Sequence, residues 1–259
     1  MNKLYIEVFA GIPSERLFPL TKQVGFDGYF GDPPMANNLE ALSKVKALAD
    51  GCGLDCETLH STIPGSDTIW SEGAEGDGFV EVLKNNIDNC HALSIPILVV
   101  HVSPDFNKNP SFDVGIRRFE QVVAYAAENG VKIAFENINS PEYLYKTMEH
   151  FGTPNVGFCY DAGHEACHTY GERFLPKLGD RLMCTHLHDN DNVGDLHQIP
   201  FDGEIDLVKM CDELKACGYK GNISLEVYYS KEYKAVMSEL EFMEKCYAAA
   251  EKIRRMLQE

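Results

Sequence analysis

The sequence is short of positive charge. Its 259 residues include 23 Lys and Arg against 40 Asp and Glu, a formal net charge of −17. Proteins built to grip nucleic acid show phosphates a basic face, so this balance argues against that class. No apolar run approaches the roughly 18 residues of a membrane span. The opening MNKLYIEVFAG meets Glu7 before an apolar core of signal-peptide length has formed. The expectation is a soluble, cytoplasmic protein with no membrane or nucleic-acid partner. The nine cysteines contain no CxxC pair and their number is odd, which favours a reducing compartment over a disulfide framework. Cys159 and Cys184 fall in apolar runs and are expected to be small buried hydrophobes. There is no GxGxxG after the first apolar run and no GxxxxGK[ST] anywhere, so the nucleotide-binding α/β folds lack their fingerprints. Low-complexity stretches and linkers are missing too, and residues 1–259 read as one domain.

What is present is an alternation. Short apolar runs recur at 4–9, 26–30, 54–60, 97–102, 131–137, 156–161, 182–188 and 223–227. They are too short for helices and too continuous for one-sided strands, which suits buried parallel strands. Between them lie helical patterns at 14–24, 38–50, 80–93, 112–127, 141–151, 165–178 and 205–217, with a last one from Val236 to Leu257. Ser14 and Asp113 suit helix N-termini, and Gly130 and Gly218 suit left-handed helix stops. Eight strand–helix units in this length predict a single (β/α)8 TIM barrel. The longest loop, 61–78, carries the single tryptophan, Trp70. A loop of that length in a compact domain is usually functional, and a mobile cover over the site is expected, with Trp70 touching substrate. GDPP (31–34) reads as an ordinary turn.

The ends of the apolar runs hold the chemistry. From the third onward they bring His60, His101, Glu136, Asp161 with His164, His186 with His188, and Glu226; Asp195 and His197 follow in a loop. In a barrel these ends converge on one face, where active sites sit. Carboxylate pairs about 4 Å apart repel by roughly 4 kcal/mol at an effective dielectric near 20. Glu136, Asp161 and Glu226 must therefore protonate, spread apart or hold a cation. Neutral imidazoles nearby favour the cation, and an oxygen and nitrogen donor set suits a divalent ion such as Mn, Fe, Co or Zn. His91, His150 and His168 lie in helices or at their ends and read as structural or solvated. His186 shares the inward alternation of His188 and reads as a supporting or substrate contact.

The run IAFEN, YDAGH, HLHDNDN, DLHQIPFDGEID, ISLEV resembles the xylose isomerase-like barrel superfamily over residues 54–228 or so. That group contains sugar and sugar-phosphate isomerases and epimerases and the zinc apurinic endonucleases. The epimerase branch implies a divalent metal (Mn, Zn, Co, Fe or Mg) on Glu136, Asp161, His188 and Glu226, with Glu136 and Glu226 also catalytic. It implies substrate contacts from His60, His101, His164 and His197. The endonuclease branch implies additional metal ligands at His60, His101, His164, Asp195 and His197. The epimerase pattern brings an arginine shortly after its HxH motif, and HDNDNVGD offers none.

The expected function is a metal-dependent isomerase or epimerase acting on a sugar through an enediolate, with a small-molecule sugar as partner. Homo-oligomers are compatible with this, because barrels pair through helical faces. The alternative is a multinuclear zinc phosphoesterase of the apurinic endonuclease type. A catalytically silent barrel is disfavoured because every ligand position is filled.

Overall fold

The computed structural model describes residues 2–8 and 10–259. The first apolar run extends to Phe9, which lies outside the described residues. Eight strands form one parallel sheet: β1 (Leu4–Glu7), β2 (Gly28–Gly31), β3 (Asp55–His60), β4 (Ile97–His101), β5 (Lys132–Glu136), β6 (Val156–Asp161), β7 (Leu182–His186) and β8 (Ile223–Leu225). Neighbours in space follow chain order, and β8 returns to pair with β1. A parallel bridge between Leu187 and Leu225 joins the remaining edges. The expected (β/α)8 barrel is the fold.

The helices are α1 (Ser14–Val24), α2 (Leu39–Gly51), α3 (Ala74–Leu93), α4 (Phe112–Glu128), α5 (Pro141–His150), α6 (Ala162–His168), α7 (Leu175–Leu178), α8 (Leu207–Ala216), α9 (Lys231–Lys234) and α10 (Glu239–Gln258). Gly130 and Gly218 adopt φ of +70° and +74°, so both helix stops use the left-handed conformation a side chain disfavours. Ser14 and Asp113 instead occupy the first turns of α1 and α4, whose N-caps are Pro13 and Ser111. The pattern at 165–178 splits into α6 and α7, with Gly171 at φ +85° between them.

Small side chains fill the barrel's axis. Val99, Ala134, Cys159 and Cys184 form a buried cluster there, and all nine cysteines are free. The larger core lies between sheet and helices. The 61–78 loop belongs to that core. Residues Ser66–Trp70 form a 3-10 turn and α3 starts at Ala74, six residues before the expected start. Trp70 is fully buried and packs on Phe112, Phe119 and Tyr143. Arg118, itself buried, donates to the carbonyls of Ile69, Ser71 and Gly73 and to Asp77. The expectation of a mobile cover with Trp70 on substrate is therefore corrected. Burying the indole outweighs exposing it, and a guanidinium with its donors used up on one loop ties that loop to α4.

Candidate metal centre and substrate cavity

All the chemistry-bearing side chains gather at the C-terminal mouth of the barrel. Glu136 is fully buried at the end of β5 and is the hub. Its Oε2 lies 3.0 Å from Nε2 of His60 and 3.0 Å from Nε2 of His101, and its Oε1 lies 2.8 Å from Nδ1 of His186. The same His186 nitrogen is 3.4 Å from Oε2 of Glu226. Ligand atoms of Glu136, Asp161, His186 and Glu226 all lie within 4.8 Å of one another. His188 sits to one side of this group. Its Nε2 is 3.2 Å from Oδ1 of Asp161 and 3.6 Å from Oδ1 of Asp195, and its ring stacks on His197. The resemblance implied His188 in the carboxylate group; the geometry puts His186 there. Three further groups carry the same donor types, His60 with His101 and Glu136, His188 with His197 and Glu226, and His164 with Asp195 and His168, a residue expected to be structural or solvated. His164 and Asp195 meet at 3.4 Å.

The local chain explains why these side chains point inward. Asp161 ends β6 and also caps α6, accepting from the His164 N–H at 2.6 Å. Asn137 clamps the Asp161 backbone through both of its amide atoms. Gly163 leaves room for His188: a Cβ there would lie 1.8 Å from the imidazole Cε1. Asp189 accepts from the N–H groups of Asn190, Phe201 and Ile205, folding the loop that carries Asp195 and His197 back over the mouth. Three imidazoles are oriented by backbone. Nδ1 of His60, His164 and His197 donates to the carbonyls of Ser61, Asn137 and Glu226 at 2.8, 3.1 and 3.0 Å. A carbonyl only accepts, so Nδ1 carries the hydrogen and Nε2 faces the centre. This is how proteins orient a metal-binding histidine.

A divalent cation fits this donor set. Buried polar atoms are nearly always paired, yet Asp161 Oδ2, His186 Nε2, both His188 nitrogens and Glu226 Oε2 are buried without a hydrogen-bond partner. The charges agree. Burial pushes the Glu136 carboxyl up, but His186, His101 and His60 outweigh it and hold the group well below the usual carboxylate range. Burial also pulls His101 down to about 4, so it stays neutral. His164 and His197 are driven the other way. Burial opposes their protonation, but Asp161 and Asp195 raise His164 to about 10, and Asp195 with Glu226 raises His197 to about 9.

A pH dependence follows. Both imidazoles titrate well above their ordinary value of 6.5. Their protonation stabilises the metal-free protein fully below pH 6.5 and ceases to as pH rises through 9 to 10. The metal-free protein is therefore expected to lose Tm between pH 8 and 10. Cation binding at pH 7.5 is expected to release protons. Calorimetry in buffers of different ionisation enthalpy reads the release.

The centre opens into a cavity of about 730 Å³ lined by His60, His101, His164, Asp195, His197 and Glu226 on one side. Asp32, Pro33, Pro34, Asn37, Thr62, Ile63, Pro64 and Tyr228 complete the wall. Trp70 does not reach it. Sequence reasoning missed two acids here. Glu7, at the end of β1, is buried with its Oε2 unpartnered, and burial plus Glu226 holds its carboxyl well above the usual range. An acid at the tip of an apolar run was the signal, as for Glu136. The other is Asp32, whose GDPP segment forms cavity wall rather than an ordinary turn.

Comparison with known proteins agrees with the fold. The family model described as xylose isomerase-like TIM barrel matches residues 18–246. The uncharacterised protein y4fM of Sinorhizobium fredii is 33% identical over 192 residues, 69% of this chain and 61% of that one. An uncharacterised protein of Methanocaldococcus jannaschii is 28% identical over 163 residues, 57% of this chain and 56% of that one. The match thus spans less than two thirds of each curated relative. Among solved structures, D-psicose 3-epimerase from Clostridium cellulolyticum superposes with a TM-score of 0.80 at 14% identity, covering 99% of both chains. A D-tagatose 3-epimerase-like protein gives 0.79 at 19% identity, covering 99% of this chain and 97% of that one. The chain belongs to the xylose isomerase-like TIM barrel family.

Proposed function

We propose that this protein is a divalent-metal-dependent isomerase or epimerase acting on a sugar. The observation that carries the reading is the buried group of Glu136, Asp161, His186 and Glu226, with orphaned ligand atoms, beside a substrate-sized cavity on whose wall Glu226 lies. Those four residues would hold the metal. When bound, such an ion polarises a carbonyl and offsets charge that develops on its oxygen. The side chains do the rest. Glu136 and Glu226 approach from different strands, and two carboxylates flanking one carbon form the acid and base that proton transfer or inversion requires. One takes the proton from the carbon beside the carbonyl; the other returns a proton to the opposite face. His164 and His197, with Nδ1 tied to backbone, direct Nε2 at substrate hydroxyls. The supporting relatives are the D-psicose and D-tagatose epimerase structures that share the fold.

Elemental analysis of purified protein, followed by a ketose panel in deuterated water, tests this. The expected result is a bound divalent metal and deuterium incorporation beside the carbonyl of at least one ketose. Metal-loaded protein that exchanges no ketose proton would reject it.

A second reading has a specific observation in its favour. The additional groups around His60–His101 and His188–His197 offer ligands for more than one ion, as a multinuclear zinc phosphoesterase needs. It requires two or three zinc ions per chain and cleavage of abasic DNA. The net charge of −17 opposes the approach of a phosphodiester backbone.

A further inference from the structure

Asp32 is a carboxylate that the chain itself leaves unserved. It occupies the N-cap position of a short 3-10 turn, Pro33–Met35, where an aspartate side chain normally accepts from the N–H two or three residues on. Here the next two residues are prolines and have no N–H. The remaining candidate, the Met35 N–H, goes to the Asp32 carbonyl at 3.3 Å. The side chain makes no capping hydrogen bond and, among the described residues, no ion pair; His60 and His197 act on it only at longer range. Yet Asp32 is only 6% exposed and lines the cavity. Burial pushes its carboxyl up to about 6, as befits an acid without a partner. Its carboxylate oxygens open onto the cavity, where a bound donor can reach them.

The rest of the cavity says which donor. No Lys or Arg is among its described lining residues, whereas Asp32, Asp195 and Glu226 are all acids. The cationic groups on the wall are the imidazoles of His164 and His197, and each is already paired with Asp195 at 3.4 Å, so a phosphate ester, which needs charge-assisted donors, would compete with that carboxylate for them. Beside Asp32 the wall is apolar, with Pro33, Pro34 and Tyr228, which suits the carbon face of an uncharged ring or chain.

We propose that Asp32 is a specificity-determining residue that accepts hydroxyl hydrogen bonds from the end of the substrate remote from Glu136, and that the substrate is an unphosphorylated, uncharged polyhydroxy-carbonyl compound. This rests on the isomerase reading of the same site. The test is ligand-observed NMR binding to the zinc-loaded protein, pairing D-fructose, D-tagatose and D-psicose with their terminal phosphate esters. At least one free ketose is expected to bind about 10-fold tighter than its ester. Asp32→Asn should weaken that ketose about 10-fold and narrow the gap, Asp32→Glu should keep the gap, and Asp32→Lys should favour the ester. Metal content and Tm confirm that each variant is folded, and the comparison of ketose with ester needs no variant. Esters that bind as well as free ketoses, an Asp32→Asn protein that binds unchanged, or no ketose binding at about 50 mM would each overturn the proposal. Binding in the expected pattern without deuterium exchange would sink the isomerase reading alone.

Discussion

Glu136→Gln is expected to lower turnover about 1,000-fold, within the range that a positioned acid or base contributes. The substitution keeps the shape of a fully buried side chain at the mouth and removes its charge. Glu136 touches three imidazoles, His60, His101 and His186. A neutral amide can donate to one of them but no longer balances the charge the cluster holds. Two losses follow, and they are separable. Metal affinity falls because one anionic ligand is gone, and this part is recovered by raising the metal concentration. The rate at saturating metal stays low because the proton acceptor is gone. Deuterium exchange measured against metal concentration, with Glu226→Gln alongside, separates the two. Full turnover by Glu136→Gln with metal bound would show that Glu136 is not the base.

The barrel was readable because its signals repeat. Eight apolar runs with helical patterns between them agree on one architecture, and from the third run onward the acids and histidines near the run ends point to the same face. His60, His101, Glu136, Asp161, His164 and Glu226 are legible for that reason. What escaped depends on contacts between distant segments. Trp70 looked like a substrate contact on a Gly- and Ser-rich cover. Only the packing of α3 and α4, with buried Arg118 beneath the loop, makes it core. Asp32 looked like a turn residue because the reach of β2 into the cavity is not written locally. Glu7 was visible as an acid at the tip of β1, but its neighbours Glu226 and Asp32 come from elsewhere in the chain. The two histidines of HLH share one face of a strand, so alternation alone cannot rank them.

Ranking them is the second large effect. His186→Ala is expected to lower affinity for the tightest-bound metal by more than about 100-fold, beyond what loss of a supporting residue costs. His188→Ala is expected to lower it by about 10-fold. The reason is position. His186 lies within reach of Glu136 and Glu226 together, at 2.8 and 3.4 Å, whereas His188 faces Asp161 and Asp195 and stacks on His197. Both rings are fully buried and both have unpartnered nitrogens, so neither burial nor desolvation separates the two variants. Only the identity of the facing carboxylates does. Competition with a fluorescent chelator measures the affinities, and metal analysis gives the stoichiometry. If His188→Ala instead strips the tightest ion while His186→Ala retains it, the ligand set implied by the family resemblance holds. If each variant removes a different ion, the neighbouring groups bind metal as well, and the phosphoesterase reading gains the stoichiometry it requires.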